Sequence, residues 1–178
     1  MARQIVLLRG INIGPHNRVA MPELRRLLEE EGFADVQTYV QSGNVVLSTD
    51  LPAAELARRC ERAIADRFGL DIAVVARSRD ELAEVVRRDP LGDVVSNPKR
   101  YQVSFLADEL DPAVAERVAA AAAEPERCAI FGREIYAWHP EGVARSPLST
   151  LLAGRSLGVT ATARNWTTVN KLLEMADA

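Results

Sequence analysis

The sequence predicts an α+β protein made of two successive β-α-β-β-α-β units, and three observations carry that expectation. Strand-like segments are joined by two tight turns, Gln41-Ser42-Gly43-Asn44 and Gly132-Arg133, which neighbouring antiparallel strands allow and parallel strands do not. Helix-start signals recur along the chain, at Pro22, Pro52, Asp111-Pro112 and Ser146-Pro147. The whole order of elements then repeats after a break at residues 89–99, which hold Pro90, Gly92 and Pro98.

In order, residues 4–9 read as a buried strand and Pro22 opens a helix with Leu24, Leu27 and Leu28, ended by Gly32. Val36 to Val40 is the second strand and Val45 to Ser48 the third. Pro52 opens a longer helix with Leu56, Cys60, Ile64 and Phe68 four residues apart, closed by Gly69. Ile72 to Ala76 is the fourth strand. Ser78 and Glu81 form a capping box for a short helix carrying Leu82, Val85 and Val86. Beyond the break, Gln102–Leu106, Arg127–Phe131, Glu134–Trp138 and Val159–Ala163 read as strands. An alanine-rich helix starts at Pro112, a short one at Pro147, and a last one runs from Trp166 to Ala176 behind Asn165 as N-cap. Two such split units in tandem, with mainly antiparallel sheets and a C-terminal helix, are the ferredoxin-like pattern. A doubly wound parallel sheet is the competing reading, and the two tight hairpins argue against it. Residues 1–78 are expected to form the first unit, 79–99 a short helix and connection, and 100–178 the second unit with the C-terminal helix.

Composition narrows the function classes. A chain of 178 residues with 48% hydrophobic and 26% charged residues builds its core without disulfide or metal. A net charge of −3 supplies no overall field toward nucleic acid or anionic membrane. Cys60 and Cys128 show no CxxC spacing, so zinc is not expected, and Cys60 lies on an apolar helix face as a core thiol. The N-terminus reads as a strand start and not a signal peptide, and no apolar run approaches the ~20 residues of a membrane span. A cytoplasmic location is therefore expected.

One loop carries far more polar groups than a turn requires. Between Leu8 and Val19 stand Arg9, Gly10, Asn12, Gly14, His16, Asn17 and Arg18. The strand–glycine–helix context resembles a phosphate-binding loop: backbone N–H groups at Gly10 and Gly14 can approach an anion, and Arg9 or Arg18 can pair with it. No complete phosphate-loop motif is present, and an internally bonded loop explains the same residues. In the predicted topology this loop and the Gln41–Asn44 hairpin share one edge of the sheet. Arg9, Asn12, Asn17, Arg18, Gln41, Ser42 and Asn44 are thus expected in one neighbourhood. In the hairpin, Gly43 supplies a positive φ and Asn44 is expected to tolerate one. Near the C-terminus, Arg164, Asn165, Trp166 and Thr167 open the last helix, either as a cap with a docked tryptophan or as donors to an anion. His16 is the one candidate general acid or base; His139, before Pro140, reads as a turn residue.

Three segments resemble the bacterial domain of unknown function 1697 family, and the likeness covers essentially the whole chain. They are Leu7-Leu8-Arg9-Gly10-Ile11-Asn12-Ile13-Gly14, Tyr39-Val40-Gln41-Ser42-Gly43-Asn44-Val45 and Thr162-Ala163-Arg164-Asn165-Trp166-Thr167-Thr168-Val169-Asn170-Lys171-Leu172. The resemblance implies the tandem ferredoxin-like architecture and implies no activity. Family members commonly carry glycine and lysine where this chain has Pro15 and His16, so an anion held by that lysine would fall here to Arg18.

Three functions stay open on the sequence. The first is binding of a small anionic or nucleotide-like ligand, with Arg9, Asn12, Asn44, Arg164 and Asn165 as donors and Trp166 as a stacking face. The second is RNA or DNA binding, disfavoured by 5% aromatic residues and by strands 4–9 and 45–48 without aromatics. The third is an enzyme acting on a phosphorylated substrate through His16, which lacks a nearby carboxylate in sequence. Self-association without a ligand is a further possibility. No cofactor is indicated.

Overall fold

The computed structural model describes residues 1–178 and is an α+β fold with two four-stranded antiparallel sheets and six helices. The chain divides into two units, Met1–Ala83 with Lys171–Ala178, and Glu84–Asn170.

The first unit contains β1 (Ala2–Leu8), α1 (Met21–Glu30), β2 (Ala34–Tyr39), β3 (Asn44–Thr49), α2 (Ala53–Phe68) and β4 (Val74–Ser78). Its strands lie in the order β2-β3-β1-β4. Ile5 pairs with Val46 on one side and with Arg77 on the other, both antiparallel. The period of two then sorts the side chains. Val6, Leu8, Val45, Leu47, Val74 and Ala76 pack with Leu24 and Leu28 of α1 and Leu56, Cys60 and Ile64 of α2. Ile5, Leu7, Val46 and Val75, on the other face, are buried as well. Burial pushes the Cys60 thiol up to about 12, so it remains protonated at neutral pH and packs as a small apolar group. Gly69 ends α2 in the left-handed region, φ 66°, and returns its N–H to the Ala65 carbonyl at 2.9 Å. The fourth strand starts at Val74 and not at Ile72, because Leu8↔Val74 is the last pair of the ladder.

Ser78 and Glu81 form the expected reciprocal capping box of α3 (Arg79–Arg88): the Glu81 N–H donates to Ser78 Oγ at 3.1 Å and the Ser78 N–H to Glu81 Oε1 at 2.9 Å. The boundary between the units falls inside this helix and again inside α6 (Trp166–Asp177). The last turns of α6 belong to the first unit. There Arg3 donates to the Met175 carbonyl at 3.4 Å, and Arg79 grips the Asp177 carboxylate with two nitrogens at 2.6 and 3.2 Å.

The second unit holds β5 (Tyr101–Leu106), α4 (Pro112–Ala121), β6 (Arg127–Phe131), β7 (Glu134–Trp138), α5 (Pro147–Ala153) and β8 (Ala161–Asn165), with sheet order β6-β7-β5-β8. Asp111 caps α4 through the Ala113 N–H at 3.0 Å, and Ser146 caps α5 through the Ser149 N–H at 3.0 Å. The last strand begins at Ala161, two residues later than the sequence suggests, where pairing with Leu106 begins. Leu106, Val118, Ile135, Ala137, Leu148, Leu157 and Ala161 form the core under α4 and α5. No helix is long and apolar enough to cross a membrane.

Candidate functional site

The loop after β1 and the β2–β3 hairpin meet in the first unit. The Leu8 N–H donates to the Gly43 carbonyl at 2.9 Å, and Asn12 Nδ2 donates to the Gln41 carbonyl at 2.7 Å. Asn12 is the clamp. Its amide also donates to the Val19 carbonyl at 2.8 Å, and its Oδ1 accepts the Val19 N–H at 2.9 Å. All three hydrogen bonds close the loop on itself or on the hairpin. Asn12 is therefore a positioning residue whose amide is spent within the chain.

The backbone explains why asparagine and glycine alternate here. Gly10, Asn12, Gly14 and Asn17 all take positive φ, at 66°, 55°, 64° and 52°. Only glycine, and to a lesser degree asparagine, visits that region at low cost. The Asn12 N–H donates to the Asn17 carbonyl at 3.0 Å, and Ile13 bridges His16, so residues 12–17 form a small hairpin of their own. At its tip Ile13, Gly14, Pro15 and His16 are exposed. A side chain built on Gly10 or Gly14 would meet nothing within 4 Å, so the backbone there stands open. Arg9 is half-buried, with its N–H on the Ala73 carbonyl at 2.9 Å, and Arg18 is exposed. The loop leads into α1, whose N-cap Ala20 has no side-chain cap to offer.

The hairpin departs from expectation in one respect. Gly43 has the expected positive φ, 80°, but Asn44 is the fully buried first residue of β3. Its Nδ2 donates to the Tyr39 carbonyl at 3.1 Å and to Ser42 Oγ at 3.0 Å, which pins the turn from inside. The second left-handed residue is Val40, φ 51°, and it is 53% exposed. A β-branched residue in that conformation costs about 1–3 kcal/mol, and such strain clusters where a surface is shaped for use. Gln41 and Ser42 are exposed beside it.

The third segment lies in the second unit and is mostly committed to the fold. Arg164 is 8% exposed; it donates to Thr162 Oγ1 at 2.7 Å and to the Ala163 carbonyl at 2.9 Å. Burial lowers its pKa to about 10. Asn165 Oδ1 accepts the Thr168 N–H at 2.9 Å, which is the capping role expected of it. Trp166 stacks on Tyr101 with ring centroids 4.7 Å apart, and Tyr136 lies 6.4 Å away. One face of its indole is thus already covered. Thr167 is exposed.

Two buried groups were not anticipated. Arg77 is 1% exposed on β4 and donates to the carbonyl before it, Ala76, at 3.0 Å. It is the counterpart of Arg164 on β8, and the matching words Ala76-Arg77-Ser78 and Ala163-Arg164-Asn165 were the available signal. His139 opens the turn expected of it, its carbonyl accepting the Gly142 N–H at 2.9 Å, but its ring is buried: the residue is 1% exposed, and its Nδ1 lies 2.6 Å from Glu126 Oε2, which also accepts Ser146 Oγ at 2.7 Å. The Ser146 hydroxyl is thus turned to the carboxylate and not to the imidazole, so the cluster lacks the Ser–His contact of a nucleophilic triad. Glu126 and Ser146 border a cavity of about 160 Å³ together with Glu124, Glu141 and Arg145. No cluster of His, Cys, Asp or Glu is arranged to hold a metal ion.

Comparison with known proteins agrees with the fold and stops short of an activity. The family model described as "Protein of unknown function (DUF1697)" matches residues 1–136. No curated protein matches the chain. Among solved structures, the conserved bacterial protein SP0830 from Streptococcus pneumoniae aligns with a TM-score of 0.80 at 24% identity, over 98% of both chains. At that identity the likeness shows the fold alone.

Proposed function

The chain belongs to the DUF1697 family, and we propose that the loop–hairpin edge of its first unit binds a small anionic or nucleotide-like ligand. We read each sheet, with orders β2-β3-β1-β4 and β6-β7-β5-β8, as a ferredoxin-like unit that presents its first loop and its hairpin at one edge. The observation that carries the functional reading is the division of labour between polar residues. Asn12 and Asn44 turn their amides inward and fix the two segments, Asn44 through Ser42 Oγ, while Arg18, His16, Gln41 and the exposed glycines Gly10 and Gly14 remain at the surface. No acidic residue lies between Arg9 and Arg18. The start of α1 adds the positive end of its dipole, with Pro22 supplying no N–H and Glu23 the one carboxylate of the first turn. Arg164, Asn165 and Trp166 are left out of this site, because capping, burial and stacking already occupy them.

Thermal unfolding in phosphate, pyrophosphate and a nucleoside diphosphate, each matched for ionic strength with chloride, tests the reading. A rise in Tm is expected with the anions, to be lost in Arg18→Ala and kept in Lys171→Ala. Equal Tm in all salts, or the same rise in Arg18→Ala, contradicts it. A salt-sensitive shift with RNA alone would favour nucleic acid instead.

A further inference from the structure

β2 and β6 are the corresponding outer strands of the two sheets. Outer strands invite pairing by other strands, since half their peptide groups point away from the sheet. β2 is protected: its register slips between Ala34 and Gln37, Asp35 takes a φ of 50°, and Arg3 donates to the Asp35 carbonyl at 3.0 Å. The outer strands on the other side, β4 and β8, are largely buried. β6 has neither protection. Its five residues run in unbroken register with β7 from Arg127↔Trp138 to Phe131↔Glu134, and they are half-buried or exposed throughout. The middle three, Cys128, Ala129 and Ile130, carry no charge.

The direction of the peptide groups follows from the ladder. The Leu106 N–H donates to the Arg133 carbonyl at 2.9 Å, so the peptide groups of Arg133 face β5. Those of Glu134, Tyr136 and Trp138 therefore face β6, where they meet Phe131, Ala129 and Arg127. The N–H and C=O groups of Cys128 and Ile130 then point outward, spaced for one partner strand.

We propose that this edge pairs antiparallel with the same edge of a second copy of the chain, centred on Ala129, joining two four-stranded sheets into one of eight. The occupant is argued from self-complementarity. With Ala129 opposite its own copy, Cys128 faces Ile130 of the second copy, and every outward N–H meets an outward C=O. Ala129 then occupies a non-hydrogen-bonded pair, where Cα atoms approach to ~4.5 Å and a small side chain fits. Arg127, ion-paired with Glu124 in its own chain, comes opposite Phe131 of the second copy, a ring that is 41% exposed and that the aliphatic stem of Arg127 can cover. Pairing Arg127 with Arg127 would oppose like charges, and a slip of one residue would set outward groups against inward ones. Two five-residue edges bury well under the roughly 1,200 Å² of a standard interface, so the association is weak and the test traps it.

The test is disulfide trapping of Ala129→Cys in a Cys128→Ala background, oxidised with glutathione disulfide and read as covalent dimer on a non-reducing gel. Ala144→Cys, an exposed position in the same background, is the control for random collision. Dimer should form at least about tenfold faster from Ala129→Cys, because pairing raises the local thiol concentration. Equal rates overturn the proposal and leave the edge to a foreign strand. Should Ala129→Cys fail to fold, native Cys128 with Ile130→Cys reads the same register, since the two positions oppose one another.

Discussion

Replacing Gly43 by alanine lowers the stability of the first unit by about 2–4 kcal/mol, the largest single-methyl effect expected anywhere in the loop–hairpin edge. Two costs add. The φ of 80° is unfavourable for any residue with a Cβ. The added Cβ would also lie 2.7 Å from the Leu8 Cβ and 3.0 Å from Ile11 Cδ1. Leu8 has little freedom to retreat: its N–H is bonded to the Gly43 carbonyl at 2.9 Å, and its strand is paired on both sides. Gly69→Ala is the control, with φ 66° and nothing within 4 Å of its Cβ, so only the conformational cost applies, about 1 kcal/mol. Urea unfolding should show a clearly lower midpoint for Gly43→Ala than for Gly69→Ala at similar slope. Equal midpoints would mean that the hairpin is not packed against Leu8 and Ile11 as described.

The second large effect is Asn12→Ala, which should cost about 2–4 kcal/mol by removing three hydrogen bonds and leaving Val19 and Gln41 backbone groups without their partner. Its distinguishing result is local. Amide hydrogen exchange should accelerate through residues 10–19 and 41–43, while β5 and β7 in the second unit keep their protection. Asn12→Asp keeps the acceptor for the Val19 N–H but loses both donors, and it should loosen the hairpin contact as much as alanine does. Unchanged exchange at residues 41–43 in both variants would remove Asn12 from its role as clamp.

Local structure was legible in the sequence wherever its cause is local. The Gly132-Arg133 hairpin, the Ser78–Glu81 capping box and the Asp111 and Ser146 caps depend on residues within three or four positions, and the structure places them as the sequence implied. Convergence of the first loop with the hairpin was legible from topology alone. What escaped depends on distant partners. Asn12 reads as a free donor until Gln41, twenty-nine positions on, is seen to take its amide. The burial of Arg77 and Arg164, 1% and 8% exposed, escapes the sequence because nothing adjacent announces what packs against their side of the strand. His139 is the turn residue that Pro140 announces, but nothing near it in sequence tells that its ring is buried 2.6 Å from Glu126. Val40 offers no warning of a left-handed backbone, since β-branched residues belong in strands.

The site itself is best tested by a pyrophosphate titration of ¹⁵N-labelled protein, followed through its backbone amides. Anion binding at the loop–hairpin edge predicts saturable shifts concentrated at Gly10, Gly14, Arg18 and the Gln41–Gly43 turn, abolished in Arg18→Ala. Shifts no larger than those in matched chloride, or shifts centred on Arg145 and Ser146 beside the second-unit cavity, would contradict it.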